Sequence, residues 1–140
     1  MTGPFTILLA EDDEDDLMFF QEALSSTSKN GQKKTEAVII PVTNGIQALE
    51  YLSKAAVDSI HPLPDMIVMD LNMPILNGIS TLKEIKKVES IRNIPVYILT
   101  TSRDERQKKL CEELGSKGIF LKGSHIGALQ ITIEEMIASL

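Results

Sequence analysis

The 140-residue chain lacks several features that mark secreted, membrane and repeat proteins. It has one cysteine, Cys111, so no internal disulfide can form, and a reducing compartment such as the cytoplasm is expected. No apolar run approaches the roughly 18 residues that cross a membrane as a helix. The first residues lack the basic segment and apolar stretch of a secretory signal peptide. No internal repeat is present. These absences predict one cytoplasmic domain over residues 1–140.

The composition is apolar enough for a core and acidic overall. Hydrophobic residues make up 43% of the chain, and 14 basic against 20 acidic residues give a net charge of −6. A chain of this length and apolarity can bury the core of one domain. The negative charge argues against nonspecific binding of nucleic acid by the whole surface. We therefore expect neither DNA nor a membrane among the partners.

Apolar runs alternate with helical patterns along the chain. Strands are predicted over Phe5–Ala10, Ala37–Val42, Met66–Met69, Ile94–Leu99 and Ile119–Leu121. Helices are predicted to begin at Asp13–Asp16 and at Asn44–Gly45, to span Gly78–Val88 and Arg103–Leu114, and to use Ile126, Leu129, Ile133, Ile137 and Leu140 at the end of the chain. Polar or Pro-containing connections are predicted over Ser25–Glu36 and Lys54–Asp65. This alternation predicts a parallel sheet covered on both faces.

Two of the patterns predict how these elements are arranged. Pro41 cannot donate to a strand ladder, so the second strand is expected at a sheet edge. The strand order 2-1-3-4-5 follows, which is the flavodoxin-like (βα)5 doubly wound α/β fold. The helix over Arg103–Leu114 offers only Leu110, Cys111 and Leu114 to a core, so it is expected to be the least firmly held. Ile46, Leu49 and Leu52 are expected on the inner face of the second helix.

Polar residues follow four of the five strands, at the edge where parallel strands end together. They are Glu11 and Asp12 after the first strand, Asp70 and Asn72 after the third, Thr100 and Thr101 after the fourth, and Lys122 after the fifth. Three neighbouring carboxylates repel one another, and one lysine cannot balance them. Mg²⁺ prefers oxygen ligands and often binds a phosphoryl oxygen as well. The set therefore predicts a site for Mg²⁺ and a phosphoryl group.

The chemistry of these side chains predicts their roles. Asp70 lies at the centre and is the expected nucleophile, because a carboxylate can form an acyl phosphate. Asp12 and Asp70 are expected to bind the metal directly, and Glu11 through a metal-bound water. The remaining predicted contacts are the Asn72 backbone carbonyl to the metal, and the Thr100 hydroxyl, the Thr101 backbone N–H and the Lys122 ammonium to phosphoryl oxygens.

Each of these residues also has an ordinary structural explanation. Asp70 could cap the turn after its strand, Lys122 could be a surface lysine, and Thr100 could cap the next helix. Glu11 could simply be solvated, as we expect of Asp13–Asp16 at the start of a helix, where the dipole favours acids. The occurrence of the whole set at one edge, in this order, favours a site.

These motifs resemble the receiver domain of two-component response regulators, over nearly the whole chain. They are Glu11-Asp12, Met69-Asp70-Leu71-Asn72-Met73-Pro74 with Gly78, Thr100 after an apolar strand, and Lys122. Carried over position by position, Asp70 resembles the phosphorylated aspartate, Asp12 the direct metal ligand and Glu11 its partner acid. Thr100 resembles the switch hydroxyl and Lys122 the phosphate-contacting lysine.

The resemblance implies a cytoplasmic signalling protein rather than an enzyme. Such a domain accepts a phosphoryl group from a histidine kinase or phosphotransfer protein in a phosphorelay, with Mg²⁺, and catalyses only its own phosphorylation and dephosphorylation. Thr100 would move toward the aspartyl phosphate and shift the fourth helix. The chain is most similar to stand-alone regulators associated with phytochrome-type kinases, which often form dimers through helix 4, strand 5 and helix 5. No output domain is expected.

Three positions depart from the family pattern. Ile119 replaces the aromatic residue that usually couples to the switch hydroxyl, and Phe120 should face the other way by strand alternation. Gly123 stands where proline commonly follows the lysine, and Thr101 is larger than the usual small residue. Asn72 and Ser102 flank the site and are candidates for tuning the phosphoryl lifetime.

Three other functions fit parts of the pattern. A haloacid dehalogenase-type phosphatase also uses an aspartate and Mg²⁺, but it needs a second aspartate at the position of Asn72. A flavodoxin needs a phosphate-binding loop after the first strand, where six consecutive acids would repel phosphate. A pseudo-receiver that binds partners without phosphorylation remains an alternative.

Overall fold

Five parallel strands form one sheet with helices on both faces in a computed structural model, which describes residues 5–27, 37–122 and 126–139. The strands are β1 (Phe5–Ala10), β2 (Ala37–Val42), β3 (Met66–Met69), β4 (Val96–Thr100) and β5 (Gly118–Leu121). The helices are α1 (Glu14–Thr27), α2 (Gly45–Val57), α3 (Gly78–Lys87), α4 (Glu105–Glu113) and α5 (Ile126–Ala138). The strand order is β2-β1-β3-β4-β5, which confirms the predicted flavodoxin-like arrangement.

The core consists of two apolar layers, one on each side of the sheet. Side chains of α2, α3 and α4 pack on one side, and those of α1 and α5 on the other. The central strand β3 is buried along its whole length, as its unbroken apolar sequence predicts for a strand covered on both faces. The consecutive residues Ile67 and Val68 of this strand belong to opposite layers.

Strand β2 lies at an edge of the sheet, as Pro41 predicts. Pro41 is exposed and stands opposite Leu9 in the register with β1. Its neighbour Val42 faces β1, and its carbonyl accepts the N–H of Glu11 at 2.9 Å. The proline therefore costs the sheet no hydrogen bond on its paired side.

Helix α2 buries most of the face that was expected, but one of the three predicted residues lies outside it. Leu52 is buried and Leu49 packs against the core, as predicted, but Ile46 is 41% exposed. Ala48 and Ala55 are also buried. The small residues let α2 lie close to its neighbours. A Cβ added at Gly45 would come within 1.9 Å of the Thr81 hydroxyl oxygen. The start of α2 thus packs against α3 at a point where there is no room for a side chain.

Other boundaries differ by a few residues. Strand β4 begins at Val96 rather than Ile94, since Pro95 has no N–H to donate. Helix α4 begins after Asp104, whose side chain accepts the Arg106 N–H, and Cys111 is its buried residue. Thus α4 is lightly anchored, as predicted. Helix α2 continues to Val57, into the predicted connection. Residues 28–36, Gly123 and Leu140 lie outside the described residues, as does the side chain of Ile126.

The helices of the described residues are short for a membrane span, the longest having 14 residues. None of those within residues 5–27, 37–122 and 126–139 is long and apolar enough to cross a bilayer.

Candidate functional site

Asp70 lies directly after the central strand, at the carboxyl edge of the sheet. Its backbone N–H donates to the Ala10 carbonyl at 3.1 Å, which ties it to the end of β1. The side chain is only 9% exposed. One carboxylate oxygen accepts the Asn72 N–H at 3.2 Å, and the other lies 3.0 Å from Nζ of Lys122. One oxygen therefore caps the turn, while the second faces a charged cluster.

The loop after Asp70 is held tightly against the strand end. The Gly78 N–H donates to the Leu71 carbonyl at 2.9 Å. A Cβ at Gly78 would come within 2.4 Å of the Asp70 carbonyl oxygen and 2.8 Å of Cα of Leu71. Both are backbone atoms, so only glycine allows this approach. The first residue of α3 thereby fixes the backbone that carries Asp70.

The acid pair after β1 lies beside Asp70. Glu11 is buried, with one oxygen 2.8 Å from Nζ of Lys122 and the other accepting the Asp13 N–H at 3.2 Å. Asp12 is exposed. One carboxylate oxygen from each of Glu11, Asp12 and Asp70 lies within 4.8 Å of the others. The predicted acidic residues are therefore brought together at one point.

Lys122 lies at the end of β5, where its N–H donates to the Thr100 carbonyl at 2.8 Å. Its ammonium contacts three carboxylates, those of Asp16 at 2.7 Å, Glu11 at 2.8 Å and Asp70 at 3.0 Å. Burial alone would lower the pKa of Lys122, but these charge-assisted hydrogen bonds outweigh it and raise the pKa above its ordinary value. Lys122 thus stays protonated and neutralises part of the acidic cluster.

The pKa of Glu11 is shifted in the direction expected of a buried acid that lies beside another acid. Burial raises its pKa, and the negative charge of Asp70 adds to the increase, while Lys122 and the Asp13 N–H oppose it. The pKa of Glu11 is raised overall. The loss of hydration on burial therefore outweighs the stabilisation that Lys122 gives the charged carboxylate.

Sequence reasoning missed the role of Asp16. Asp13–Asp16 were interpreted as solvated acids at the start of a helix, and Asp13 does cap α1 by accepting the N–H groups of Asp15 and Asp16. Asp16, however, lies within the cluster through its contact with Lys122. The sequence offers no local signal for this contact, because it joins α1 to the residue after β5.

Thr100 connects the site to α4 rather than only to the strand end. It is 1% exposed, and its hydroxyl oxygen accepts the Ser102 N–H at 3.1 Å. The Ser102 hydroxyl in turn donates to the Gln107 side chain at 2.8 Å and accepts the Asp104 N–H at 3.2 Å. Gln107 lies in α4 and Asp104 caps it. A chain of hydrogen bonds therefore runs from Thr100 to the start of α4.

A cleft of about 150 Å³ lies beside this chain of hydrogen bonds, between the N-terminal part of α4 and β5. Leu71, Thr100, Ile119 and Leu121 line it together with residues of α4. Ile119 packs on the layer that contains Cys111, while Phe120 packs on the opposite layer beside Tyr97, with ring centroids 6.2 Å apart. Phe120 thus faces away from Thr100, as strand alternation predicts.

The oxygen cluster fits a divalent cation. Three carboxylate oxygens within 4.8 Å of one another form a set of hard ligands, and the exposed Asp12 leaves one side open to water. The contacts of the Lys122 ammonium show that positive charge is favoured here. Of the other predicted residues, Asn72 is exposed and contacts Asp70, Ser102 is half-buried and contacts Thr100, and Thr101 is exposed. Gly123 lies outside the described residues.

Comparison with known proteins gives a consistent result. The family model for the response regulator receiver domain matches residues 7–134. Response regulator Rcp1 of Synechocystis sp. is 33% identical over 102 residues, which cover 73% of this chain but only 65% of that relative.

Two solved structures extend the likeness to nearly the whole fold. The phosphorylated cyanobacterial phytochrome response regulator RcpA superposes with a TM-score of 0.83 at 27% identity, covering 96% of this chain and 91% of that one. The Mn²⁺-bound form of Rcp1 gives a TM-score of 0.79 at 28% identity, covering 95% and 91%.

Proposed function

Because the chain belongs to the response regulator receiver domain family, we propose that it is a signalling switch controlled by phosphorylation of Asp70. The observation that carries this proposal is the position of the Asp70 carboxylate. It lies at the end of the central strand, among the oxygens of Glu11 and Asp12, and within 3.0 Å of the Lys122 ammonium. A nucleophilic carboxylate beside fixed positive charge suits attack on a phosphoryl group.

The proposed reaction is the transfer of a phosphoryl group from a phosphohistidine. An Asp70 oxygen attacks phosphorus, the P–N bond of the donor breaks, and an acyl phosphate P–O bond forms. Glu11, Asp12 and Asp70, with the Asn72 backbone carbonyl, would hold Mg²⁺, which when bound neutralises charge on the phosphoryl oxygens. Lys122 would shift its Asp70 contact to a phosphoryl oxygen.

Thr100 would convert this chemistry into a change of shape. Its hydroxyl would donate to a phosphoryl oxygen, beside the backbone N–H of Thr101. To do so it would move from the loop in which its oxygen accepts the Ser102 N–H. Ser102 holds Gln107, so the start of α4 would lose its link to the strand end. Cys111 is the buried residue of α4, so a shift of this helix would cost little free energy. Phosphorylation would therefore change the relative populations of two states.

This polar route would replace the usual aromatic coupling. Ile119 has no polar group, and Phe120 faces the other side of the sheet. The cleft of about 150 Å³ beside Thr100 and Ile119 gives room for movement without displacement of an aromatic ring.

The partners are proposed on the same basis. Receiver domains interact with histidine kinases or phosphotransfer proteins, and RcpA, whose structure is similar, is a phytochrome response regulator. We propose a phytochrome-type kinase as the phosphoryl donor, and dimerisation through α4, β5 and α5 as the output.

Phosphorylation can be tested with a small-molecule donor. Incubation with phosphoramidate or acetyl phosphate and Mg²⁺ should add one phosphoryl mass to the intact protein, and a chelator should prevent it. Asp70→Asn should abolish the addition, whereas Asp15→Asn, at an exposed acid of α1, should not. Equal labelling of Asp70→Asn would refute the assignment. Absence of labelling in the wild type would favour a pseudo-receiver.

Dimerisation needs a separate measurement. Light scattering should report a larger mass when beryllofluoride and Mg²⁺, which mimic the phosphorylated state, are added to the wild type. An unchanged mass would contradict phosphorylation-controlled dimerisation and leave the phosphorylation proposal to the labelling experiment.

A further inference from the structure

The Lys122 ammonium is held by more than the two site acids. An ammonium has three N–H donors, and three carboxylates lie within 3.0 Å of it. Two of them, Glu11 and Asp70, come from the strand ends. The third, Asp16, comes from α1 and is the shortest contact, at 2.7 Å. Every donor of Lys122 therefore has a carboxylate partner.

The three contacts differ in what else competes for the carboxylate. Glu11 and Asp70 each contribute an oxygen to the cluster that fits a divalent cation. Among the described residues, that cluster contains Asp12 as its third member and does not include Asp16. A cation at the cluster would attract the carboxylates of Glu11 and Asp70 and so weaken their contacts with Lys122. Asp16 is the partner that remains.

Helix α1 is a firm base for such a contact. Phe20, Ala23 and Leu24 of α1 are buried in the layer between α1, α5 and the sheet. By contrast, a lysine side chain has four flexible bonds and loses considerable entropy when it is fixed. A carboxylate on a rigid helix therefore reduces the freedom of the ammonium before a phosphoryl group arrives.

We propose that Asp16 is a positioning residue for phosphoryl transfer, holding the Lys122 ammonium beside Asp70 while the other two carboxylates engage the metal and the phosphoryl group. This inference rests on the proposed function, since it assigns Asp16 to the same reaction. Asp16 acts through Lys122 and does not itself contact the reacting atoms.

The first test compares rates of phosphorylation by phosphoramidate at saturating Mg²⁺. Asp16→Ala should slow the reaction by roughly tenfold, as expected when one charge-assisted contact to a reacting group is lost. Asp15→Ala is the matched control, because it removes the same charge from the neighbouring exposed position of α1 and should leave the rate within about twofold. Equal slowing in both variants would mean that net charge, not positioning, is responsible, and would overturn the proposal.

A double-mutant cycle distinguishes positioning from a structural effect. In a Lys122→Ala background, adding Asp16→Ala should change the remaining rate by less than about twofold, because there is no ammonium left to hold. A full tenfold loss in that background would overturn the proposal. The Mg²⁺ affinity of Asp16→Ala, measured by titration without a phosphoryl donor, should stay within about threefold of the wild type, because Asp16 is not a ligand. A larger loss would assign Asp16 to the metal site instead.

Failure of this inference can be told apart from failure of the proposed function. If the wild type is labelled on Asp70 and Asp16→Ala is labelled equally fast, the positioning role is wrong and the switch proposal stands. If the wild type is not labelled, both are wrong as statements about phosphoryl transfer.

Discussion

Replacing Lys122 with methionine tests how the acidic cluster is balanced in the folded protein. Methionine has a similar length and no charge, so the substitution removes the ammonium while keeping most of the apolar stem. Without metal, the Glu11 and Asp70 carboxylates then have no neighbouring cation at the position of Nζ. Their side chains are only 5% and 9% exposed, so water cannot fully replace it.

The expected loss follows from the burial of these two groups. Removing one partner of a buried ion pair typically costs about 3–5 kcal/mol. Asp16 is 36% exposed, so the contribution of its contact with Lys122 to the free energy of unfolding is largely screened by solvent. We therefore expect the low end, about 3 kcal/mol at neutral pH. For a domain of 140 residues this lowers the melting temperature by roughly 10 °C.

The effect should depend on pH with a definite sign. Burial already raises the pKa of Glu11, and loss of Lys122 raises it further in the folded state. A raised carboxyl pKa penalises the folded state above that pKa, and the penalty disappears below the unfolded value of about 4. The difference between Lys122→Met and the wild type should therefore shrink as the pH falls from about 7 toward 4.

The assay is thermal or urea unfolding in chelator and in excess Mg²⁺. Mg²⁺ should restore more stability to Lys122→Met than it adds to the wild type, because the cation replaces the lost positive charge. Lys117→Met, at an exposed lysine before β5, is the control and should change little. If Lys122→Met is as stable as the wild type in chelator at neutral pH, the cluster is not held by this lysine and the reasoning fails.

Three further predictions concern stability and metal binding. Gly78→Ala should cost about 2–3 kcal/mol in urea unfolding, because its Cβ would meet the Asp70 carbonyl oxygen at 2.4 Å; an unchanged midpoint would contradict this contact. Asp12→Asn should reduce the Mg²⁺-induced rise in melting temperature, whereas an equal rise would exclude Asp12 as a ligand. Asp65→Ala should cost about 1 kcal/mol in urea unfolding by releasing the Thr6 N–H, bound at 2.7 Å, and no loss would show that water replaces it.

The sheet could be predicted because its signals are local. The apolar run Met66–Met69 marks a strand buried on both faces, and Pro41 marks an edge strand. The position of Ile46 on α2 could not be read in the same way. Ile46 is 41% exposed although it is large and apolar, whereas the smaller Ala48 is buried, and α2 lies close to Thr81 of α3 at Gly45. Side-chain size alone does not encode the distance between elements.

The candidate site was predictable for the residues that strand ends deliver. Glu11, Asp12, Asp70 and Lys122 all follow strands of one parallel sheet, so topology brings them together. Asp16 lies on a helix and meets Lys122 across 106 positions of sequence. That contact depends on how α1 lies against β5, which no local pattern specifies.

One backbone feature near the site was also beyond sequence reasoning. Ile75 has a φ of +69°, although β-branched residues rarely adopt left-handed conformations. The Leu76 N–H donates to the Pro74 carbonyl at 2.7 Å, which closes a three-residue turn around it. Glycine or asparagine at this position would have indicated such a turn, whereas isoleucine gives no signal of it.

The edge proline has a consequence for the protein in a crowded solution. In a parallel ladder, alternate residues direct their backbone groups to opposite sides, and the Val42 carbonyl points toward β1. The backbone of Pro41 therefore points away from β1, at a position where any other residue would offer a free N–H. A neighbouring molecule that tried to add a strand there would find no donor. The residue that marks β2 as an edge strand therefore also removes one of the donors through which this edge could pair with another chain.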